Sequence, residues 1–258
     1  MIELKNKQKK IFAYLFSIFL ITLSWSIFAK IIDSKLILPT PLDVFYTIIN
    51  LCTKKIFWQN VLVTMGRTFS AFFISIFVGF ILGIFCGYSE FFNSFLKIPL
   101  SVIRVTPVIS VILLILFWFK SGTVPIVTSV LMSLPIMITS IHKGFSKIDN
   151  SLLQMAKVFN LTQIQVFKNI VLKSITPFFW NGVLSTFGLS WKVVVASEVL
   201  SLPAKSVGTI LQKSQLHLEA QEVFAITIII VCISFIFERL LDFFIKKTFG
   251  KIYENGTK

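Results

Sequence analysis

Acidic side chains are scarce in this 258-residue chain, 11 Asp+Glu against 25 Lys+Arg, for a formal net charge of +14. They fall in loops or at the ends of apolar runs, and the two histidines, His142 and His217, stand alone. With no paired nucleophile, acid and base, nothing in the chain has the makings of a catalytic centre, and an enzyme is not expected. Cysteine is nearly absent too. Cys52, Cys86 and Cys232 are too scattered for a metal site or a disulfide framework, so no metal or other cofactor is expected. There is no G-x-x-x-x-G-K-[ST] phosphate loop, and the chain is expected to bind no ATP itself. Internal repeats are missing, and so is any basic module interleaved with aromatics that would suit nucleic acid.

What the chain has instead is apolar length. Hydrophobic residues make up 55%, Phe alone numbers 29, and mean hydropathy is +0.87. That composition predicts an all-α polytopic membrane protein of about six transmembrane helices, since a helix satisfies its own backbone in lipid. The expected spans are 11–29, 69–88, 99–119, 123–141, 178–200 and 224–245, between a basic head at 1–10 and a tail at 246–258. The first run lacks a small-x-small cleavage site after it, so it reads as a retained span rather than a signal peptide. With both ends inside, the inner segments carry fourteen lysines and the outer ones seven. This bias places both termini in the cytoplasm of a bacterial or archaeal plasma membrane, and the basic ends suit anionic membrane lipid.

Between the fourth and fifth spans lies a polar, lysine-bearing stretch, 147–177. Two S/T-x-x-Q patterns, Ser151 with Gln154 and Thr162 with Gln165, predict two helix starts by capping box. Asn160 between them tolerates a left-handed stop. The expectation is a short helix over 152–159 and a second from about 163. In the second span Ala71, Ser75, Gly79, Gly83 and Gly87 recur every fourth residue, a ridge that lets a neighbouring backbone approach closely.

The stretch at 147–177 resembles the EAA loop of ATP-binding-cassette (ABC) importer permeases, with the pattern falling on Gln154, Met155, Ala156, Asn160, Ile170, Leu172 and Lys173. Three further pieces resemble the nitrate, sulfonate and taurine permeases of that family, and occur in the same order. They are Leu38-Pro-Thr-Pro41; Arg104-x-x-Pro107 followed by Trp118-Phe-x-x-Gly122; and Trp191 with Glu198 seven residues on. The resemblance implies a homodimer of permease subunits, with two copies of a cytoplasmic ATPase gripping the coupling helix. It also implies an extracytoplasmic solute-binding protein that delivers the solute. Family cargoes include sulfonates, nitrate, taurine and vitamin precursors such as thiamine pyrimidines or riboflavin. By the same resemblance Ser151, Gln154, Met155, Ala156, Asn160, Ile170 and Leu172 are the expected ATPase-coupling residues. Arg104, Pro107, Trp191, Lys192 and Glu198 are the candidate translocation-path residues. A secondary transporter working without an ATPase is the alternative, though it would usually show internal repeats and several buried charges.

Lys192 is the charge that no interface explains. It lies about 21 Å into the fifth span at 1.5 Å per residue, where a lysine costs roughly 2.5–3.5 kcal/mol on insertion scales. Glu198, about 9 Å further along and some 120° round the helix, is badly placed to pair with it. Three readings stay open: Lys192 reaching out to headgroups or water, pairing with Glu198 of a partner subunit, or lining the path of a negatively charged solute.

Overall fold

The structure, a computed structural model, describes the backbone of residues 2–255 and side chains from 12 to 247. The lysines of the head and the end of the tail lie outside those side chains. The described backbone is helical almost throughout: α1 (Ile2–Ile32), α2 (Pro41–Thr53), α3 (Lys55–Tyr88), α4 (Glu90–Val105), α5 (Val108–Leu116), α6 (Val124–Ser146), α7 (Asn150–Val158), α8 (Gln163–Val166), a wider π-helical turn (Phe167–Val171), α9 (Leu172–Ser201), α10 (Val207–Leu216) and α11 (Ala220–Asn255). Among the described residues five segments are long and apolar enough to cross a membrane: Phe12–Ile32, Lys55–Tyr88, Val124–Ser146, Gln163–Ser201 and Ala220–Lys247. The pair α4 and α5 makes a sixth if taken as one broken span.

That break differs from the continuous helix expected over 99–119. The chain turns by 99° between Val105 and Val108. Pro107 has no N–H to donate and its ring excludes a helical carbonyl behind it. Thr106, the residue before it, is pushed to an extended conformation, φ −72° and ψ 128°. Arg104 is exposed in the last turn of α4, where its charge also suits the helix dipole.

The chain divides into two compact units, Met1–Gln59 with Ile210–Val231, and Asn60–Thr209 with Cys232–Lys258. In the first, the Leu38–Pro41 element is a helix start. Thr40 caps α2, accepting from the Asp43 N–H and donating back to its carboxylate, and Pro41 supplies the first helical residue. The Thr40 hydroxyl and then the Lys35 ammonium hold the Asp43 carboxyl below its usual range. The buried carbonyl of Pro39 accepts from Trp25 Nε1 at 3.0 Å, and the Trp25 ring stacks on Phe224.

In the second unit the small-residue ridge of α3 lies against α6. Ser75 bonds Ser133, and a Cβ on Gly79, Gly83 or Gly87 would come within 2.6 Å of Met137, Ile141 or Phe145. Every step of four along α3 is matched by four along α6, so the two helices run parallel. The chain must therefore cross between them, as α4 and α5 do. Helix α9 runs back along α6, with Gly182 on Ser140 and Gly144 on Ile175. Phe72, Met137, Ile141, Val183 and Phe187 form the buried core of the three helices, and Phe69 and Phe237 pack against it.

Candidate functional site

Two regions carry the side chains that packing does not explain, and they lie toward opposite ends of α9. At its N-terminal end is the hairpin of α7 and α8. Asp149, not Ser151, caps α7: its carboxylate accepts from the Ser151 N–H at 2.9 Å, which also holds the Asp149 carboxyl below its usual range. Two good cap residues stand two apart here, and the earlier one wins, adding a charge at the positive end of the helix. Asn160 sits at φ +51°. The Leu161 N–H reaches back to Ala156 O and the Asn160 N–H to Lys157 O, the paired bonds of a Schellman stop. Thr162 and Gln165 then form a full capping box at the start of α8.

These constraints fix which face of the hairpin looks outward. Ala156 is 2% exposed, and lies with Leu153, Leu161 and Val166 around an inner crevice of about 400 Å³. It is therefore turned toward its own hairpin. The outward face is Leu152, Met155, Val158 and Phe159, spaced at helical intervals, joined by Ile164 of α8; Val158 and Ile164 are nearly 80% exposed. Gln154 is exposed beside them, Ile170 is buried in the π-helical turn, and Leu172 is half-exposed where α9 begins. A cluster of large apolar side chains on a lysine-rich loop marks a surface meant to be covered. The i, i+3, i+7 spacing of Leu152, Met155 and Phe159 is the signal in the sequence that points to this face.

Toward the other end of α9, Glu198 is fully buried and bonded within its own chain. Its carboxylate accepts from Arg67 Nη1 at 2.6 Å, Thr64 Oγ1 at 2.8 Å and the Gly208 N–H at 3.3 Å. Arg67 also donates to Lys205 O, and the Val207 N–H to Thr64 Oγ1. A Cβ on Gly208 would lie 2.4 Å from that of Glu198, so only glycine lets the loop come this close. Glu198 is thus a knot between α3, α9 and the start of α10. Within the chain its carboxylate is enclosed by these partners. Arg67 is its counter-charge.

Trp191 is buried as well. Lys192 is exposed and makes no ion pair or hydrogen bond among the described residues. Arg104 and Pro107 belong to the bend between α4 and α5, away from both regions in sequence, and among the described residues no hydrogen bond or ion pair joins Arg104 to Lys192 or Glu198.

Comparison with known proteins gives this arrangement relatives. The family model of the binding-protein-dependent transport system inner membrane component matches residues 76–250, about two-thirds of the chain. A Bacillus subtilis (strain 168) protein assigned as an aliphatic sulfonates transport permease is 22% identical over 215 residues, 83% of this chain and 76% of its own length. The bicarbonate transport system permease protein of Synechococcus elongatus is 22% identical over 157 residues, 60% and 56% of the two chains. Among solved structures, the membrane subunit of an inward-facing methionine ABC transporter superposes with a TM-score of 0.63 at 14% identity. That match covers 76% of this chain and 98% of the other.

Proposed function

The chain belongs to the family of binding-protein-dependent transport system inner membrane components, and from that premise we propose how its parts divide the work. It is the permease subunit of an ABC importer, the membrane-spanning part through which a small solute passes. The ATPase-free secondary transporter gives way to this family. The energy comes from a separate ATPase, and the outward face of α7 and α8 is where that ATPase takes hold. One observation carries this assignment: Leu152, Met155, Val158, Phe159 and Ile164 are exposed together on a rigidly capped hairpin between two long spans.

Two copies of the chain pair in the membrane, each gripped by one of two ATPase copies, and both termini lie in the cytoplasm with the hairpin. An extracytoplasmic binding protein delivers the solute to the opposite side. The relatives' named cargoes, aliphatic sulfonates and bicarbonate, are small anions. The permease presents two helix arrangements, and the ATPase dimer biases the choice between them. The knot at Glu198 keeps the outer end of α9 fixed to α3, so that movement imposed on the hairpin is passed along a rigid helix.

Met155→Asp and Phe159→Asp each place a charge in the centre of the proposed contact. Both variants are expected to insert normally and to lose the ATPase on co-purification. Recovery of the ATPase at the unsubstituted level with both variants would put the contact elsewhere.

A further inference from the structure

On the surface of the second unit, α3 and α9 part to leave an apolar furrow of about 590 Å³. Phe73, Phe77 and Phe80 form one wall, and Leu172, Thr176 and Trp180 the other. Phe80 meets Phe179 edge to face, with 5.5 Å between ring centres, and so joins the two walls. The Thr176 hydroxyl donates to Leu172 O of its own helix and asks for no partner in the furrow. From Leu172 to Trp180 the lining runs about 12 Å along the axis, close to the ~15 Å half-thickness of a hydrocarbon layer. The furrow is as deep as one leaflet.

Charge marks the end nearest the hairpin. Tyr88, exposed at the end of α3, sets its ring 6.5 Å from that of Phe167 in the π-helical turn. A tyrosine there suits the level of the headgroups. Lys168 follows Phe167 and Lys173 follows Leu172, and both are exposed. Neither makes an ion pair among the described residues. The carboxylates that could answer them stand elsewhere. Glu90 opens α4, whose Phe92 and Leu96 join the cluster of Leu82, Cys86 and Ile138. At 100° per residue Leu82 and Cys86 are on the side of α3 roughly opposite Phe73 and Phe80. Asp149 is held by its cap and Asp242 by Lys246. Glu238 and Arg239 lie against Leu184, a turn outward of Trp180 and outside the furrow.

We infer that the furrow binds an anionic phospholipid of the leaflet on the hairpin's side. One acyl chain lies between α3 and α9, and Lys168 and Lys173 hold the phosphate. The inference goes beyond the permease reading and needs only a chain that lies in a membrane. A narrow acyl chain fits between aromatic walls one leaflet deep, and a basic pocket between spans is where anionic headgroups collect. A second copy of the chain does not fit. Over 12 Å a helix at least 10 Å wide would fill roughly 900 Å³, more than the furrow holds. A two-fold pairing would also set Lys168 and Lys173 against their own copies, like charge against like.

The test uses phosphatidylglycerol with a photoactivatable diazirine on its acyl chain. The full chain is placed in phosphatidylcholine nanodiscs with a trace of this probe and irradiated, and labelled peptides are mapped by mass spectrometry. Label is expected to concentrate on 73–80 and 172–180, above the exposed apolar face of α1 around Phe19. At roughly fivefold per lysine near an anionic surface, Lys168→Gln/Lys173→Gln should lower that excess about tenfold or more, and the Arg pair should keep it. The same diazirine on phosphatidylcholine should show no excess. Thr176→Trp, which fills the furrow, should remove the excess with both lysines in place. Should Thr176→Trp fail to insert, the lysine variants decide alone, since both positions are exposed. Equal labelling of the furrow and α1 means bulk lipid contact only and overturns the site. An excess that survives the loss of both lysines overturns the anionic headgroup. Finally, Thr176→Cys with the native cysteines replaced is oxidised in native membranes. A disulfide between two copies would seat a second chain in the furrow and overturn the lipid. None of these results touches the hold on the ATPase, which co-purification reads separately.

Discussion

Removing the carboxylate of Glu198 is expected to cost more stability than any surface change in the chain. Glu198 is 0% exposed and the Arg67 side chain 13%. Glu198→Ala leaves the guanidinium with the Lys205 carbonyl alone, and strips a partner from the Thr64 hydroxyl and the Gly208 N–H. Breaking a buried ion pair from one side costs roughly 3–5 kcal/mol. The bonds themselves give a similar figure, since two hydrogen bonds to a charged group are worth about 1.5–3 kcal/mol each. At about 2–4 °C per kcal/mol for a chain of this size, the apparent Tm should fall by roughly 6–20 °C. Arg67→Met should fall as far. The double variant Arg67→Met/Glu198→Met, with both charges gone and their volume filled, should recover most of the loss. The readout is the fraction of monodisperse protein remaining after heating in detergent, followed by size exclusion. A buried pair is weakly screened, so the losses should be the same at low and high salt. If the double variant loses the sum of the two singles, the groups do not act on each other and the knot is not what holds the loop.

Three further outcomes can be checked with the same preparation. Gly83→Val should cost about 1–3 kcal/mol by overpacking against Ile141, whereas Gly66→Ala, with nothing within 4 Å of its Cβ, should be tolerated; equal Tm values for the two would mean that the ridge of α3 does not meet α6. Asn160→Val should loosen the hairpin by about 1–2 kcal/mol because its φ is +51°, speeding proteolysis of the loop, while Asn160→Gly leaves it intact; a Val variant as resistant as the parent would rule out the left-handed stop. A single cysteine at Ala204 should label from outside intact cells and one at Gln163 only after permeabilisation, both positions being exposed; the reverse pattern would invert the topology and remove the hairpin from the ATPase side. The buried Ser206, in the same loop as Ala204, would be a poor reporter.

What the sequence made legible was local, and what it hid was distant. The Thr162–Gln165 box and the stop at Asn160 each depend on residues within five positions, and both can be read off the amino-acid order alone. The start of α7 is just as local yet ambiguous, because Asp149 and Ser151 are both good caps and only geometry chooses between them. The bend at Pro107 was visible as a residue but not as a break. An average over an apolar run passes across Thr106 and Pro107 without registering that two residues have left the helix. The pairing of Arg67 with Glu198 crosses 131 positions, and no pattern on either helix announces it. Yet that one contact decides the most among the readings of Lys192. So long as Glu198 was free, a pair between subunits would have given both charges a structural reason to exist. With Glu198 held by Arg67, Thr64 and Gly208, one of the three explanations for Lys192 is gone.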